Sequence, residues 1–274
     1  MNIMISGSNG LLGSRIVELL THKHSFIPLQ HTDVDITNKN NVNTFLQKNK
    51  NFDIFLHCAA YTQVDKAEQE PNSAYQINVD GTKNLFTSTT ELGKKFILIS
   101  TDFVFDGNNP PYNENSQTNA ISIYGKTKLQ AEEIVKGHGM IARTSYPFRK
   151  EFDKKNDFVR SILSILQQNK QLNMITDSLI TPTFIDDIAY GLDYLLEHYS
   201  SEIFHLTGSS SLSPYEAGKI IAHTFHMNPD LIQPTTYTEF FKGKAQRPQF
   251  SEIQNTKITT IHFKSFQEAI IKIS

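Results

Sequence analysis

An α/β fold built on a doubly wound parallel sheet, with a smaller C-terminal lobe, is what this sequence predicts. Three observations predict it. The chain opens with NIMISGSNGLLGSRIVELL, an apolar run, a glycine turn and an amphipathic run. Short apolar segments then alternate with longer helical patterns as far as Ser100. Parallel strands joined by crossover helices are the economical architecture for such alternation. The length, 274 residues, suits one large core with a smaller lobe beside it.

The opening stretch organises the rest. Ile3, Met4 and Ile5 read as a buried strand, and Ile16, Val17, Leu19 and Leu20 as the apolar face of a helix. Between them, Gly7 permits a backbone angle that a side chain would forbid. Gly10 lets the backbone approach a bound pyrophosphate, and Gly13 lets the helix pack on the strand. The helix start adds free N–H groups and a positive dipole end. The turn from Gly7 to Gly13, including Asn9, Leu11 and Leu12, is therefore a candidate dinucleotide cradle of the Rossmann kind. The plainer reading is a strand-turn-helix with glycines for geometry alone. The position at the chain start, after a strand and before a helix, favours the dinucleotide.

Ser25 to Gln30 is the second strand. An acid at its end would bind a ribose 2′-OH and favour NAD. Gln30-His31-Thr32 stand there instead, and His31 can face a 2′-phosphate, so NADP (as NADPH) is preferred and NAD remains an alternative. Asp35, with Ile36 beside it, is placed for the adenine edge. Asp33 and Asp35 also suit a helix cap before NKNNVNTFL. Asn51 to His57 is the third strand, ending at Cys58-Ala59-Ala60, whose small side chains let a cofactor lie over the strand end. Cys58 reads as a buried small side chain rather than a nucleophile. Tyr61 to Glu68 is expected as a loop and Ser73 to Leu92 as one long helix. Lys95 to Ser100 is the fourth strand, apolar as a central parallel strand should be. Ligands in such sheets sit at the carboxyl ends of the strands. Gly7–Gly13, Asp35, Cys58–Tyr61 and Ser100–Asp106 therefore converge on one crevice.

Tyr124 and Lys128 are four residues apart at a helix start and share one face. A tyrosine has a pKa of about 10 and is a poor acid at neutral pH. A nearby ammonium favours the phenolate and lowers that value. The arrangement suits proton transfer to a carbonyl oxygen, and the Thr101 hydroxyl can add a hydrogen bond to the same oxygen. Tyr-x-x-x-Lys alone is a common accident. Thr101 upstream and the glycine turn at the start argue against accident here.

With these residues in place the chain resembles the extended short-chain dehydrogenase/reductases, and among them the dTDP-4-dehydrorhamnose reductase family. The motifs run in order: GSNGLLG, CAAYTQVDKAE, NVDGT, STDFVFDG, YGKTKLQAE, RTSY and AQRPQFSEIQNTK. The resemblance covers essentially the whole chain. It implies that Thr101, Tyr124 and Lys128 are catalytic, with Asp102 beside them. It implies that Asn78 and Ser100 belong to the cofactor side. Thr62, Val64, Asp65, Phe103, Tyr146 and Arg247 would meet a nucleotide sugar carrying a 4-keto group. It also implies a division into a cofactor domain, 1–143 continued by about 184–206, and a substrate lobe, 144–183 with 207–274. The chain also resembles the NADP-binding regulatory beta subunit of methionine adenosyltransferase, most closely in DGNNPPY and AQRP, whereas AYTQVDKAE matches the reductases better. Two departures fall on the substrate side. Tyr146 stands where the reductases have Trp, and Ile180 replaces a glycine in DSLITPT.

Asp157 to Gln168 is an amphipathic helix with Phe158, Ile162, Ile165 and Leu166 on one face, suited to core packing or to the seam of a homodimer. Thr183 to Tyr199 is another helix, and Ile203 to Leu206 a last strand. Ser213 caps a helix through Phe225 with Pro214 in its first turn. Arg247 can make a bidentate contact with a diphosphate or a surface salt bridge. A net charge of −2 gives no sign of nucleic-acid or anionic-membrane binding. The first apolar run breaks at Ser6-Gly7, so it is not a signal peptide, and no run is long enough to span a membrane. A single cysteine fits a reducing cytoplasm. The histidines show no metal-ligand spacing, and no metal is expected.

Overall fold

In the computed structural model, which covers residues 1–274, the first apolar run forms β1 (Asn2–Ser6) and the residues after the glycine turn form α1 (Leu11–Leu20). β2 (Ser25–Leu29), α2 (Lys39–Lys48) and β3 (Ile54–His57) follow. The segment expected as a loop after Tyr61 is helical from Val64, forming α3 (Val64–Gln69). The expected long helix begins earlier, at Pro71, and is not uniform. α4 (Pro71–Tyr75) passes into a π-helical turn, Gln76–Asp80, before α5 (Gly81–Glu91). π turns concentrate at functional sites. β4 (Lys95–Thr101), α6 (Ile123–Val135) and β5 (Met140–Thr144) complete the first run. β5 has no counterpart among the expected strands, because Arg143 and Thr144 interrupt its apolar pattern although both are buried.

The chain then leaves the sheet through β6 (Pro147–Phe148), α7 (Phe158–Leu166), β7 (Leu172–Ile175), β8 (Leu179–Ile180) and β9 (Thr183–Phe184). It returns along α8 (Ile185–Glu197) to β10 (Ile203–His205). α9 (Pro214–Thr224), β11 (Ile232–Thr235), α10 (Tyr237–Phe240), β12 (Phe250–Ser251) and α11 (Phe266–Ile273) follow. The main sheet is parallel throughout, in the order β10-β5-β4-β3-β1-β2. This is the doubly wound sheet that the sequence predicts.

Alternation of side chains along each strand divides the core between two faces. Ile3, Ile5, Ile54, Leu56 and Ile97 face α1 and α8, packing on Ile16, Leu20, Ile188 and Leu192. Met4, Phe55, Phe96 and Leu98 face the other way, onto Val42, Leu46, Leu85 and Val135. Each fully buried side chain of this kind stabilises the fold by roughly 1.5–3 kcal/mol relative to exposure. A separate core, containing Phe148, Val159, Ile162, Leu166, Ile221, Phe266 and Ile270, holds the smaller lobe together. Core packing thus accounts for the inward face of α7. Asp157 caps that helix by accepting from the Arg160 N–H at 2.9 Å. Ser213 and Glu216 form a reciprocal capping box at the start of α9. Asp33 and Asp35, expected as caps for α2, do other work. Asp33 accepts from the Gln30 N–H at 2.8 Å, and Asn38 caps α2 from 3.1 Å.

Two histidines are buried neutral. Burial holds His57 down to about 3. Burial, aided by the Arg143 charge, holds His205 down to about 4. An unfolded histidine titrates near 6.5, so below that pH the unfolded chain binds protons that the folded chain refuses. Stability is therefore highest above about pH 6.5 and falls as the pH drops through the window from 6.5 toward 4. Each pKa unit is worth about 1.4 kcal/mol. Urea unfolding at pH 7 and pH 5 should show a loss of a few kcal/mol at the lower pH; a flat profile would contradict it.

Candidate active site

The glycine turn has the form of an anion cradle. Gly7 sits at φ 71°, and a Cβ there would lie 2.7 Å from the Ala59 nitrogen and 2.8 Å from the Cys58 carbonyl carbon. Gly13 is packed so tightly on Gly7 that a side chain would collide with its carbonyl. Gly10 precedes α1 without a side-chain cap, and the first turn of α1 carries no acid. Its leading N–H groups are thus left for an anion. Leu11 and Leu12 lean into the core, so their contribution at the turn is backbone. The turn borders a cleft of about 630 Å³ that also takes in Asn9, His31, Asp35, Ile36, Ala59 and Ala60. His31 is exposed on this cleft, at the end of β2. The Asp35 carboxylate accepts from the Thr37 N–H at 2.9 Å and the Thr37 hydroxyl at 2.8 Å, which hold it below the usual carboxylate range. Ser100 Oγ, at the end of β4, is buried with no hydrogen-bond partner in the chain. An unpartnered buried hydroxyl and an uncapped helix start both fit a bound dinucleotide.

A row of polar groups runs beneath this cleft. The Thr82 hydroxyl donates to the Asn78 carbonyl at 2.6 Å, so it can only accept from His57 Nε2, 3.1 Å away. That fixes the tautomer, and His57 Nδ1 accepts from the Ser6 hydroxyl at 2.6 Å. The Asn78 side chain, on the π turn, accepts from the Tyr61 N–H at 2.7 Å and donates to Thr127 Oγ1 at 2.9 Å. The Thr127 hydroxyl in turn donates to the Tyr124 carbonyl at 2.8 Å. Asn78, expected to touch the cofactor, is only 1% exposed with its side chain committed to Tyr61 and Thr127. The structure places it behind the site. Tyr61 is half-buried, its hydroxyl donating to Glu70 at 2.9 Å.

Thr101 ends β4, and Tyr124 and Lys128 lie on the first turns of α6, which Ser122 caps from 3.1 Å. The Phe103 ring meets the Tyr124 ring edge-on with centroids 5.4 Å apart. Burial pushes the Tyr124 phenol up to about 12; the Thr101 hydroxyl acts against this and the Asp102 charge with it. Lys128 is not among the groups that move the phenol. The expected depression of its pKa by the ammonium is therefore absent, and desolvation dominates. Lys128 is itself buried, brought down to about 8 by desolvation, and its ammonium donates to the Ile99 carbonyl at 2.7 Å. Burial likewise raises the Cys58 thiol to about 12, with the Lys128 charge opposing, so Cys58 is no thiolate at neutral pH. A phenol with a raised pKa stays protonated and able to donate. An alkoxide is more basic than any phenolate, so the transfer to it remains downhill.

The second lobe carries an apolar cleft of about 330 Å³. Tyr146, Phe158, Ile165, Tyr237, Phe241 and Arg247 are among its lining residues. Tyr146 packs edge-on against Phe158 at 5.8 Å and is held at φ 41°, a strained angle for a non-glycine residue. Burial raises the Tyr146 phenol, and the Asp102 charge adds to that. The Arg247 guanidinium lies 4.6 Å over the Phe241 ring, donates to the Ala245 carbonyl at 2.8 Å and pairs with Asp65 at 2.8 Å. Arg247 and Asp65, both expected to meet substrate, thus meet each other across the two lobes. Val64 begins α3 beside Asp65 and is half-buried. Thr62 is exposed and accepts from the Lys155 ammonium at 3.3 Å. No group of three or more His, Cys, Asp or Glu side chains is placed to hold a metal ion. No helix is long and apolar enough to cross a membrane.

Comparison with known proteins points the same way. Residues 1–273 match the family model described as the RmlD substrate binding domain. The dTDP-4-dehydrorhamnose reductase of Aggregatibacter actinomycetemcomitans is 30% identical, over 93% of this chain and 91% of that protein. Methionine adenosyltransferase 2 subunit beta of Bos taurus is 30% identical over 76% of this chain and 64% of that protein. The crystal structure of dTDP-4-dehydrorhamnose reductase from Bacillus anthracis in complex with NADP superposes with a TM-score of 0.92. It is 30% identical, covering 99% of this chain and 98% of that one.

Proposed function

From the chain's membership of the RmlD substrate binding domain family, we propose that it is an NADPH-dependent reductase of a nucleotide-linked 4-keto-6-deoxy sugar. The substrate is dTDP-4-dehydrorhamnose and the product dTDP-L-rhamnose, with NADH as the weaker alternative cofactor. The observation that carries this reading is Thr101 at the end of β4 beside Tyr124, with Lys128 one turn further along α6. The Lys128 charge reaches Cys58, and the Asp102 charge reaches Tyr146. Residues 1–143 with about 184–206 hold the cofactor, and 144–183 with 207–274 hold the sugar nucleotide. The enzyme is cytoplasmic and works as a monomer or homodimer.

The chemistry divides among named groups. When bound, NADPH supplies a hydride from C4 of its nicotinamide to the keto carbon. The turn from Gly7 to Gly13 and the start of α1 bind its diphosphate, His31 faces the ribose end, and Ser100 offers a hydroxyl. Tyr124 gives its proton to the alkoxide oxygen. Lys128 would hold the cofactor ribose. Phe103 and Tyr146 flank the sugar, and Arg247 grips the diphosphate of the sugar nucleotide. The direct test is NADPH oxidation with dTDP-4-dehydrorhamnose beside a panel of other keto sugars. The regulatory-subunit reading, favoured by the likeness to the methionine adenosyltransferase subunit, requires tight NADP binding with no turnover on any of them.

Arg247→Ala should raise the substrate KM by about tenfold or more, because a charge-assisted hydrogen bond contributes about 1.5–3 kcal/mol. The NADPH Kd should not move. An unchanged KM would leave Arg247 with Asp65 as a link between lobes and nothing more.

A further inference from the structure

The segment between α10 and β12 has the makings of an anion seat, and the anion in it is the chain's own. Lys244 and Arg247 stand over neighbouring rings. The Lys244 ammonium is 4.3 Å from the Phe240 centroid and the Arg247 guanidinium 4.6 Å from that of Phe241. The Arg247 backbone is braced as well: the Tyr237 hydroxyl donates to its carbonyl at 2.5 Å and accepts from its N–H at 3.3 Å. Arg247 Nη1 donates to the Ala245 carbonyl at 2.8 Å, which leaves Nη2 for another partner. The Ala245 N–H belongs to no helix or strand. One carboxylate from the other lobe takes both donors. Asp65 Oδ1 accepts from the Ala245 N–H at 3.0 Å, and Oδ2 from Arg247 Nη2 at 2.8 Å. The Arg247 hydrogen bond holds the Asp65 carboxyl below its usual range, with help from the Ala245 N–H and from the Lys244 charge.

Arg247 is the only charged side chain lining the 330 Å³ cleft of the second lobe. Its charge is spent on Asp65, which comes from α3 and is no part of that lining. The Asp65 side chain is 51% exposed, and an ion pair so open to water holds weakly. A sugar-nucleotide diphosphate carries two negative charges where the carboxylate carries one. Its oxygens accept from a guanidinium and from a backbone N–H as a carboxylate does. We propose that Asp65 is a placeholder in a phosphate seat made of Lys244, the Ala245 N–H and Arg247, and that the diphosphate of the sugar nucleotide displaces it, releasing this tie between the lobes. The proposal rests on the reductase reading above and adds Lys244 to it as a second cation. It also reverses the role that the resemblance implies for Asp65, which competes with the substrate instead of meeting it.

The test is calorimetric titration of the full chain with dTDP, with NADPH as the control. Asp65→Asn keeps the shape and removes the charge. It should tighten dTDP by about three- to tenfold, between the effect of an exposed ion pair and that of a charge-assisted hydrogen bond. The NADPH Kd should stay within about twofold. In an Arg247→Ala background the same change should move the dTDP Kd by less than about twofold, because the cation for which the two anions compete is gone. Weaker dTDP binding in Asp65→Asn would mean that the carboxylate prepares the site, and overturns the proposal. Equal tightening in both backgrounds does the same. Lys244→Ala, at an exposed position, should weaken dTDP by about threefold or more with the NADPH Kd unmoved; unchanged dTDP affinity overturns the seat. That arm decides if Asp65→Asn does not fold. Binding is read without turnover, so the two readings separate. A wild type that binds dTDP and reduces no keto sugar ends the reductase reading, while tighter binding in Asp65→Asn still supports the placeholder. A wild type that reduces dTDP-4-dehydrorhamnose keeps the reductase reading even where the Asp65 variants overturn the placeholder. A wild type that binds no dTDP overturns the proposal.

Discussion

Tyr124→Phe should cut kcat by about 10²–10⁴, the usual contribution of a positioned general acid, while the NADPH Kd changes little. The substitution keeps the ring that packs on Phe103 at 5.4 Å and removes only the hydroxyl. Neither Lys128 nor Thr101 is an equivalent donor. Lys128 points its ammonium at the Ile99 carbonyl, and the Thr101 proton is held by Asp102. Steady-state kinetics with a single-turnover check that chemistry limits kcat would decide it. Turnover by the wild type with full kcat retained in Tyr124→Phe would remove Tyr124 as the proton donor.

Gly7→Ala should weaken NADPH binding by about 10²-fold and lower the melting temperature. The residue lies at φ 71°, and the new Cβ would meet backbone, not a movable side chain: the Ala59 nitrogen at 2.7 Å and the Cys58 carbon at 2.8 Å. Relief requires the turn to move away from β3. That withdraws N–H donors from the diphosphate, each worth about 1.5–3 kcal/mol when the acceptor is charged. Strain at the positive angle adds about 1 kcal/mol against the folded state. Fluorescence titration with NADPH and a thermal melt measure the two effects separately. An unaltered Kd would place the cofactor elsewhere.

The parts legible in the sequence are those whose partners lie close along the chain or repeat at a fixed period. The strand, turn and helix from Asn2 to Leu20 are one such unit, and Tyr124 with Lys128 on one helix face is another. The alternation that sorts Ile3 and Ile5 from Met4 could be read in the same way. What escaped depends on distant partners. Asp102 draws its hydroxyls from Ser145 and Ser251, 43 and 149 residues away. The role of Asn78 comes from Thr127, 49 residues on, and from a π turn that no local periodicity announces. β5 escaped because a buried Arg143 paired with Glu132 at 2.6 Å reads as a surface residue until its partner is known. The two-residue strands of the smaller lobe are too short to show any period.

Protons cannot travel along the polar row that joins Ser6 to Tyr124. Thr82 gives its hydrogen to the carbonyl of Asn78, and Thr127 gives its own to the carbonyl of Tyr124. A peptide carbonyl accepts a hydrogen bond but does not hand a proton onward, and the carboxamide of Asn78 releases none at neutral pH. The row is an insulator laid under the crevice. Each turnover of a reductase consumes one proton, and this row, which ends on the Tyr124 backbone carbonyl, delivers none to the phenolate.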